Sequence, residues 1–138
     1  MTGFSAGDRI GYVTTGYGGY ASDRLLPANL ALKLPTAMSD PVAAAVLLKG
    51  LTVSMLVRHV HAVKPGDRIL VQAAAGGVGL LLCQWARHLG ATVIGTVSTE
   101  EKAQIARGAG ADHVVLYTKQ DFVAETKRLT GGRGADLI

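Results

Sequence analysis

The sequence predicts an α/β fold built on a doubly wound parallel sheet, and three observations carry that reading. From residue 68 onward the apolar pattern switches repeatedly between strand-like and helical periodicity, the alternation expected when helices wrap around parallel strands. Eighteen glycines stand against four prolines, and aromatics make up only 5% of the chain, a composition suited to many tight strand–helix turns. A run of small residues, Ala73 to Gly79, falls where one predicted strand gives way to a helix.

Taken in order, the elements begin with a β-like stretch. Ala-Gly-Asp-Arg-Ile at 6–10 and Pro-Gly-Asp-Arg-Ile at 65–69 share one turn chemistry that delivers the chain into a strand, without forming a repeat. A strand is predicted near 9–14, then a turn carrying Gly16, Gly18 and Gly19, then a second strand near 20–26. That is too little to enclose a core. Ser39-Asp40-Pro41 starts a helix, with Asp40 as N-cap and Pro41 at the first helical position. Its strongly apolar composition predicts burial, and Gly50 is expected to interrupt it, leaving a second helix over 51–63 that stops at Lys64-Pro65-Gly66-Asp67.

Beyond that turn the prediction is a strand at 68–73, a helix at 78–89 closed by Gly90, a strand at 92–96 and a helix at 99–107 closed by Gly108 or Gly110. A strand at 113–117, a helix at 120–130 and a last strand at 135–138 complete a β-α-β-α-β-α-β series. Right-handed crossovers then place the last strand beside the first, in the order 3-2-1-4. An uncovered apolar edge invites pairing with another chain, so a homo-oligomer is expected.

Composition removes several function classes. With 49% apolar and 17% charged residues, disorder is not expected. The net charge of +4 comes from 14 Lys and Arg spread along the chain without a basic run, so no nucleic-acid partner is expected. The single cysteine, Cys83, cannot form an internal disulfide and fits a reducing, cytoplasmic setting. No signal-peptide pattern is read at the start. Lys49, Arg58, His59 and His61 break the most apolar stretch, 41–63, which argues against a membrane span and for no membrane partner.

The chemistry sits at 73–79. Ile69-Leu70-Val71-Gln72 runs into Ala73-Ala74-Ala75-Gly76-Gly77-Val78-Gly79 and then into a helix, the context of a Rossmann dinucleotide fingerprint. Ala74, Gly76 and Gly79 take its three small-residue positions: a tight turn, approach of backbone N–H groups to a pyrophosphate, and close helix–strand packing. The helix start adds donors and a positive dipole end. No Gly-Lys-Ser/Thr follows, so this is not a Walker loop.

Cofactor choice is read at the end of the next strand, where NAD-selective sites carry a carboxylate. Gly95-Thr96-Val97-Ser98 has none. Ser98 is read as the cap of the next helix, with Glu101 closing a capping box, and its hydroxyl could also meet a 2′-phosphate. Lys102 in the first helical turn is disfavoured by the dipole unless an anion lies nearby. The other reading is a solvated lysine beside Glu100 and Glu101. The balance points to NADPH.

Residues 73–91 and 95–102, together with Leu47-Leu48-Lys49-Gly50-Leu51-Thr52 and Lys64-Pro65-Gly66-Asp67, resemble the zinc-free, zeta-crystallin-like quinone oxidoreductases of the medium-chain dehydrogenase/reductase superfamily. The resemblance implies NADPH-dependent hydride transfer to quinones or conjugated enones, with Ala75, Gly76, Gly77, Val78 and Gly79 on the pyrophosphate. It also implies Ser98 and Lys102 at the adenosine phosphate, Tyr117 against the adenosine end and Thr52 near the nicotinamide. By periodicity alone Tyr117 is a strand-end aromatic and Thr52 a packing hydroxyl. Zinc-dependent relatives place a ligand Cys where Lys49 stands, and with no His/Cys cluster of ligand spacing no metal is expected. Cys83 is expected to pack, and no catalytic side chain is assigned.

Intact members of that family are more than twice as long. The resemblance therefore implies a fragment, with 1–37 as the end of a GroES-like domain's first part and 38–138 as the N-terminal half of a Rossmann domain cut in its fourth strand. Such a chain is expected to bind NADPH weakly and reduce quinone negligibly by itself; the alternative is an NADP-binding module or inactive remnant without turnover.

Overall fold

The computed structural model describes residues 3–13, 16 and 18–138. They fall into two compact units, Met1–Leu48 and Lys49–Ile138.

In the first unit, β1 (Ile10–Tyr12) pairs antiparallel with β2 (Ala31–Lys33), Gly11 opposite Leu32. The strand expected at 20–26 does not form. Tyr20 and Leu25 are fully exposed, and the second strand comes later, after a helical turn at Ala28–Leu30. Alternation alone could not distinguish the two, because each stretch is too short to establish a period. Thr14, in the first predicted strand, lies outside the described residues. Gly11 is required where it stands: a Cβ there would meet Leu47 Cδ2 at 2.8 Å and Leu34 Cδ2 at 3.1 Å.

Helix α1 (Asp40–Met55) begins one residue earlier than expected, with the Ala43 N–H donating to the Ser39 carbonyl at 2.9 Å so that Ser39 and not Asp40 takes the cap position, and it runs straight through Gly50. It ends in a wider π-type turn over Leu56–Val60, where the His61 N–H donates to the Leu56 carbonyl at 3.0 Å. His61 therefore lies beyond the helix, its ring 3.1 Å from the Asp67 carboxylate. The expected burial of this helix is overturned. Ala43, Val53 and Val57 are buried, whereas Val42, Leu48, Leu51, Met55 and Val60 are exposed. Apolar side chains surround its whole circumference, and one contact face covers only part of them. By length and composition alone, the run Asp40–Val60 is long and apolar enough to cross a membrane, despite Lys49 and Arg58; a core helix of a soluble protein passes the same test.

Gly50 meets nothing within 4 Å where a Cβ would stand, and its φ is not positive. Gly50→Ala is accordingly expected to raise stability by roughly 0.5–1 kcal/mol, since alanine loses less entropy in a helix. Chemical denaturation measures this, and a destabilised variant would contradict it.

The second unit carries the parallel sheet. Strands β3 (Arg68–Val71), β4 (Thr92–Val97) and β5 (His113–Leu116) lie in the order β3-β4-β5. Between them come α2 (Gly77–His88) and α3 (Glu100–Gly108), and α4 (Phe122–Leu129) follows β5. On the free side of β3, Leu137 bridges Ile69 in parallel, and the Leu70 N–H donates to the Leu137 carbonyl at 2.9 Å. The expected fourth strand is thus present as a single bridge, in its 3-2-1-4 place. Asp136 fixes its approach by accepting the Arg68 N–H at 2.9 Å and pairing with Arg133. Those two contacts, the backbone N–H foremost, lower its pKa.

Alternation along the strands separates two layers. Ile69, Val71, Val93 and Val97 pack with Cys83 and Ala86 of α2 and Ala103 and Ala106 of α3. Leu70, Ile94 and Val115 face the other way, against Phe122 and Leu129 of α4. Helices on both faces make the sheet doubly wound. Ile94 is completely buried, and such a side chain contributes roughly 1.5–3 kcal/mol. Cys83 is part of the core, where burial pushes its thiol up to about 11. It therefore packs and does not act as a thiolate at neutral pH.

Candidate functional site

The C-terminal ends of β3, β4 and β5 open onto a cleft of about 420 Å³. This is where a doubly wound sheet binds ligands, since the loops there diverge to opposite faces. Ala75, Gly76, Ser98, Lys102 and Tyr117, all singled out from the sequence, line it together with Gln72, Ala73 and Val97.

The loop after β3 turns so tightly that Ala73 adopts φ +51°, a left-handed conformation that costs a residue with a Cβ roughly 1–2 kcal/mol. Two hydrogen bonds hold it. The Gly76 N–H donates to the Ala73 carbonyl at 2.8 Å, and the Ala74 N–H donates to the Thr96 carbonyl at 3.1 Å. The left-handed residue is therefore Ala73, one position before the Ala74 assigned to the turn. Ala74 has a different job: its Cβ fills the space that Gly95 leaves on β4, 2.7 Å from where a Gly95 Cβ would be.

Gly79 is the packing glycine. A Cβ there would meet the Ala73 carbonyl oxygen at 2.3 Å and Ala74 Cα at 2.9 Å. Its absence lets the first turn of α2 sit against the loop. No side chain caps α2 at Gly76, whereas Asp121 caps α4 and Thr99 caps α3. The α2 start therefore presents its backbone donors and positive dipole end without a side-chain acceptor at the cap.

At the other wall, the expected cap and box at Ser98 are corrected. Thr99 Oγ1 accepts the Lys102 N–H at 3.3 Å, because Ser98 lies one residue too early to reach it. Ser98 Oγ instead accepts from Lys102 Nζ at 3.3 Å. Its carbonyl accepts from Thr118 Oγ1 at 3.0 Å, which ties the end of β4 to the segment after β5. Tyr117, 51% exposed, closes that side, with its N–H donating to the Val97 carbonyl at 3.2 Å. Among the described residues, Lys102 is the one charged residue lining the cleft. A lysine paired to a hydroxyl in place of a carboxylate leaves its charge uncompensated, which suits an anionic group.

Gly77, Val78 and Gly79 stand at the α2 start but do not line the cleft, and Thr52 lies half-buried on α1, also outside its lining. Gln72 and Val97 escaped the sequence reading. Gln72 Oε1 accepts from Thr96 Oγ1 at 2.6 Å, a pair between adjacent strands that the parallel register alone reveals. Among the described residues no group of three or more His, Cys, Asp or Glu is placed to hold a metal ion.

Residues 77–138 match the family model described as "Zinc-binding dehydrogenase". A 2-haloacrylate reductase from Burkholderia sp is 46% identical over the whole chain, and quinone oxidoreductase 1 of Escherichia coli is 49% identical over 96% of it. The chain spans about two fifths of these curated relatives, 42% and 41% of their lengths. The solved structure of an Escherichia coli quinone oxidoreductase complexed with NADPH superposes with a TM-score of 0.89, at 47% identity, over 96% of this chain and 41% of that one.

Proposed function

We propose that the chain belongs to the medium-chain dehydrogenase/reductase superfamily and is the cofactor-binding part of an NADPH-dependent oxidoreductase acting on quinones or conjugated enones. The observation that carries the proposal is the cleft itself: a glycine turn at an α2 start with no side-chain cap on one wall, and Lys102 with Ser98 on the other.

These residues fit a phosphorylated dinucleotide. The amides of Ala75, Gly76, Gly77, Val78 and Gly79 would hold the diphosphate, a task for backbone donors at a helix start. Ser98 and Lys102 would hold the 2′-phosphate, since no carboxylate stands at the end of β4 to prefer a free ribose hydroxyl. Tyr117 would lie along the adenosine, and Thr52 near the nicotinamide. Bound there, NADPH supplies a hydride for an electron-poor acceptor. The chain's own contribution is orientation and exclusion of water along β3 to β5.

In this reading residues 1–37 belong to a GroES-like domain and 38–138 to the nucleotide-binding domain. The protein is cytoplasmic, self-associating and zinc-independent, with Lys49 in place of a ligand cysteine.

The test is a calorimetric titration of the 138-residue chain with NADPH and NADH, with 1,4-benzoquinone turnover assayed in parallel. Saturable binding that favours NADPH, with negligible turnover by this chain alone, is the expected result. Binding of neither dinucleotide would overturn the proposal, and robust turnover would refute the expectation that the chain binds without reducing.

A further inference from the structure

Among the described residues, Gln72 adds a further polar side chain to Ser98, Lys102 and Tyr117 in the cleft lining. It follows the last residue of β3, and the parallel register, with Val71 opposite Gly95, sets it beside Thr96 of β4. Both residues continue the alternation that turns Leu70 and Ile94 toward the α4 layer. Thr96 is completely buried, so its hydroxyl proton needs an acceptor inside the protein. Gln72 Oε1 supplies one at 2.6 Å. The Thr96 carbonyl meanwhile accepts the Ala74 N–H at 3.1 Å, so one residue fixes both the glycine turn and the Gln72 amide. With its oxygen held inward, Gln72 keeps its NH2 group, which can only donate, for the cleft that it lines. Among the described residues that Nε2 has no hydrogen-bond partner.

We propose that the Gln72 amide, aimed by Thr96, binds the adenosine ribose of the dinucleotide by donating to its 3′-hydroxyl oxygen. The inference rests on the dinucleotide reading above and deepens it. The loop amides around Gly76 take the diphosphate on the 5′ side of that ribose, and Ser98 with Lys102 take the phosphate on its 2′ oxygen. A sugar anchored at both positions lies between the two walls, over the end of β3 where Gln72 stands. The 3′-hydroxyl is its remaining hydroxyl. A neutral donor suits that place, because a hydroxyl needs no third cation and a carboxylate there would repel both phosphates. Thr96 lies outside the cleft lining. It is a positioning residue, acting on the cofactor through Gln72.

Calorimetric titrations of the 138-residue chain with ADP, 3′-deoxy-ADP and 2′-deoxy-ADP remove one hydroxyl at a time. The wild-type chain is expected to bind ADP about fivefold more tightly than 3′-deoxy-ADP, the worth of one neutral hydrogen bond. Gln72→Leu, which keeps the side chain's bulk, should abolish that preference and leave the ratio of ADP to 2′-deoxy-ADP affinity as in wild type. Thr96→Val should lower the 3′ preference as well, and Thr96→Ser should restore it, since serine keeps the donor. If Gln72→Leu weakens all three nucleotides together and keeps both ratios, its role is merely structural and the inference is overturned. Equal binding of ADP and 3′-deoxy-ADP by the wild-type chain overturns it too, while the dinucleotide site stands. A wild-type chain that binds neither NADPH nor any of the three removes both the inference and the reading beneath it.

Discussion

Gly79→Ala is expected to be the most damaging single-atom change in the second unit. The added methyl carbon would lie 2.3 Å from the Ala73 carbonyl oxygen and 2.9–3.0 Å from two backbone atoms of Ala74. No rotamer relieves such contacts, because every obstructing atom is main chain. Helix α2 would have to lift from the loop, and it packs Cys83 and Ala86 into the layer built on Ile69, Val71 and Val93. Overpacking a tight core costs about 3 kcal/mol at the upper end of the usual range, and backbone obstruction places this site there. The lifted helix would also carry its amides away from the cleft, so NADPH binding should disappear with the stability. Gly76→Ala should be milder, since its Cβ would meet the Ala73 oxygen at 3.1 Å and nothing closer. Thermal unfolding of the pair ranks the two sites. Wild-type melting of Gly79→Ala would sink the packing account.

The sequence made the sheet legible because each layer obeys a period. Leu70 and Ile94 face one side and Ile69, Val71 and Val93 the other, as alternation predicts. Gly90 and Gly110, with φ +87° and +104°, end their helices where a left-handed residue is needed. The first unit was less readable. Its strands are three residues long, and over so short a run alternation carries almost no information. Helix α1 misled for another reason. Apolar content signals burial only if a partner exists for every face, and a sequence does not show how many faces its neighbours cover.

At the site, reading by motif found residues and misplaced roles. The small-residue spacing located the loop, but which residue turns and which one packs depends on register. Ala74 is small because Gly95 lies opposite it on β4, a contact between strands that spacing along one strand cannot encode. Ser98 and Thr99 are both hydroxyl residues before a helix, and a shift of one position decides which caps it and which faces the ligand. Lys49 was visible only as a family difference until the fold brought it over Gly77.

That one-residue shift sets up the second large effect. Because Thr99 takes the cap, Ser98 and Lys102 are released to face the cleft, and the stability of α3 does not depend on either side chain. Lys102→Ala should therefore leave the fold intact, as circular dichroism can verify, while weakening NADPH by about tenfold or more and leaving NADH unchanged. Ser98→Ala should act in the same direction with a smaller effect, since the hydroxyl orients the ammonium at 3.3 Å without carrying charge. Ser98→Asp should invert the preference: a carboxylate at the end of β4 repels a 2′-phosphate and accepts from a free ribose hydroxyl. The inversion cannot arise from general loss of structure, because damage weakens both dinucleotides together. If Lys102→Ala and Ser98→Asp both kept the wild-type ratio of NADPH to NADH affinity, the phosphate would have to be read by residues on another wall, and the assignment of the β4 end would fail even with the glycine loop correct.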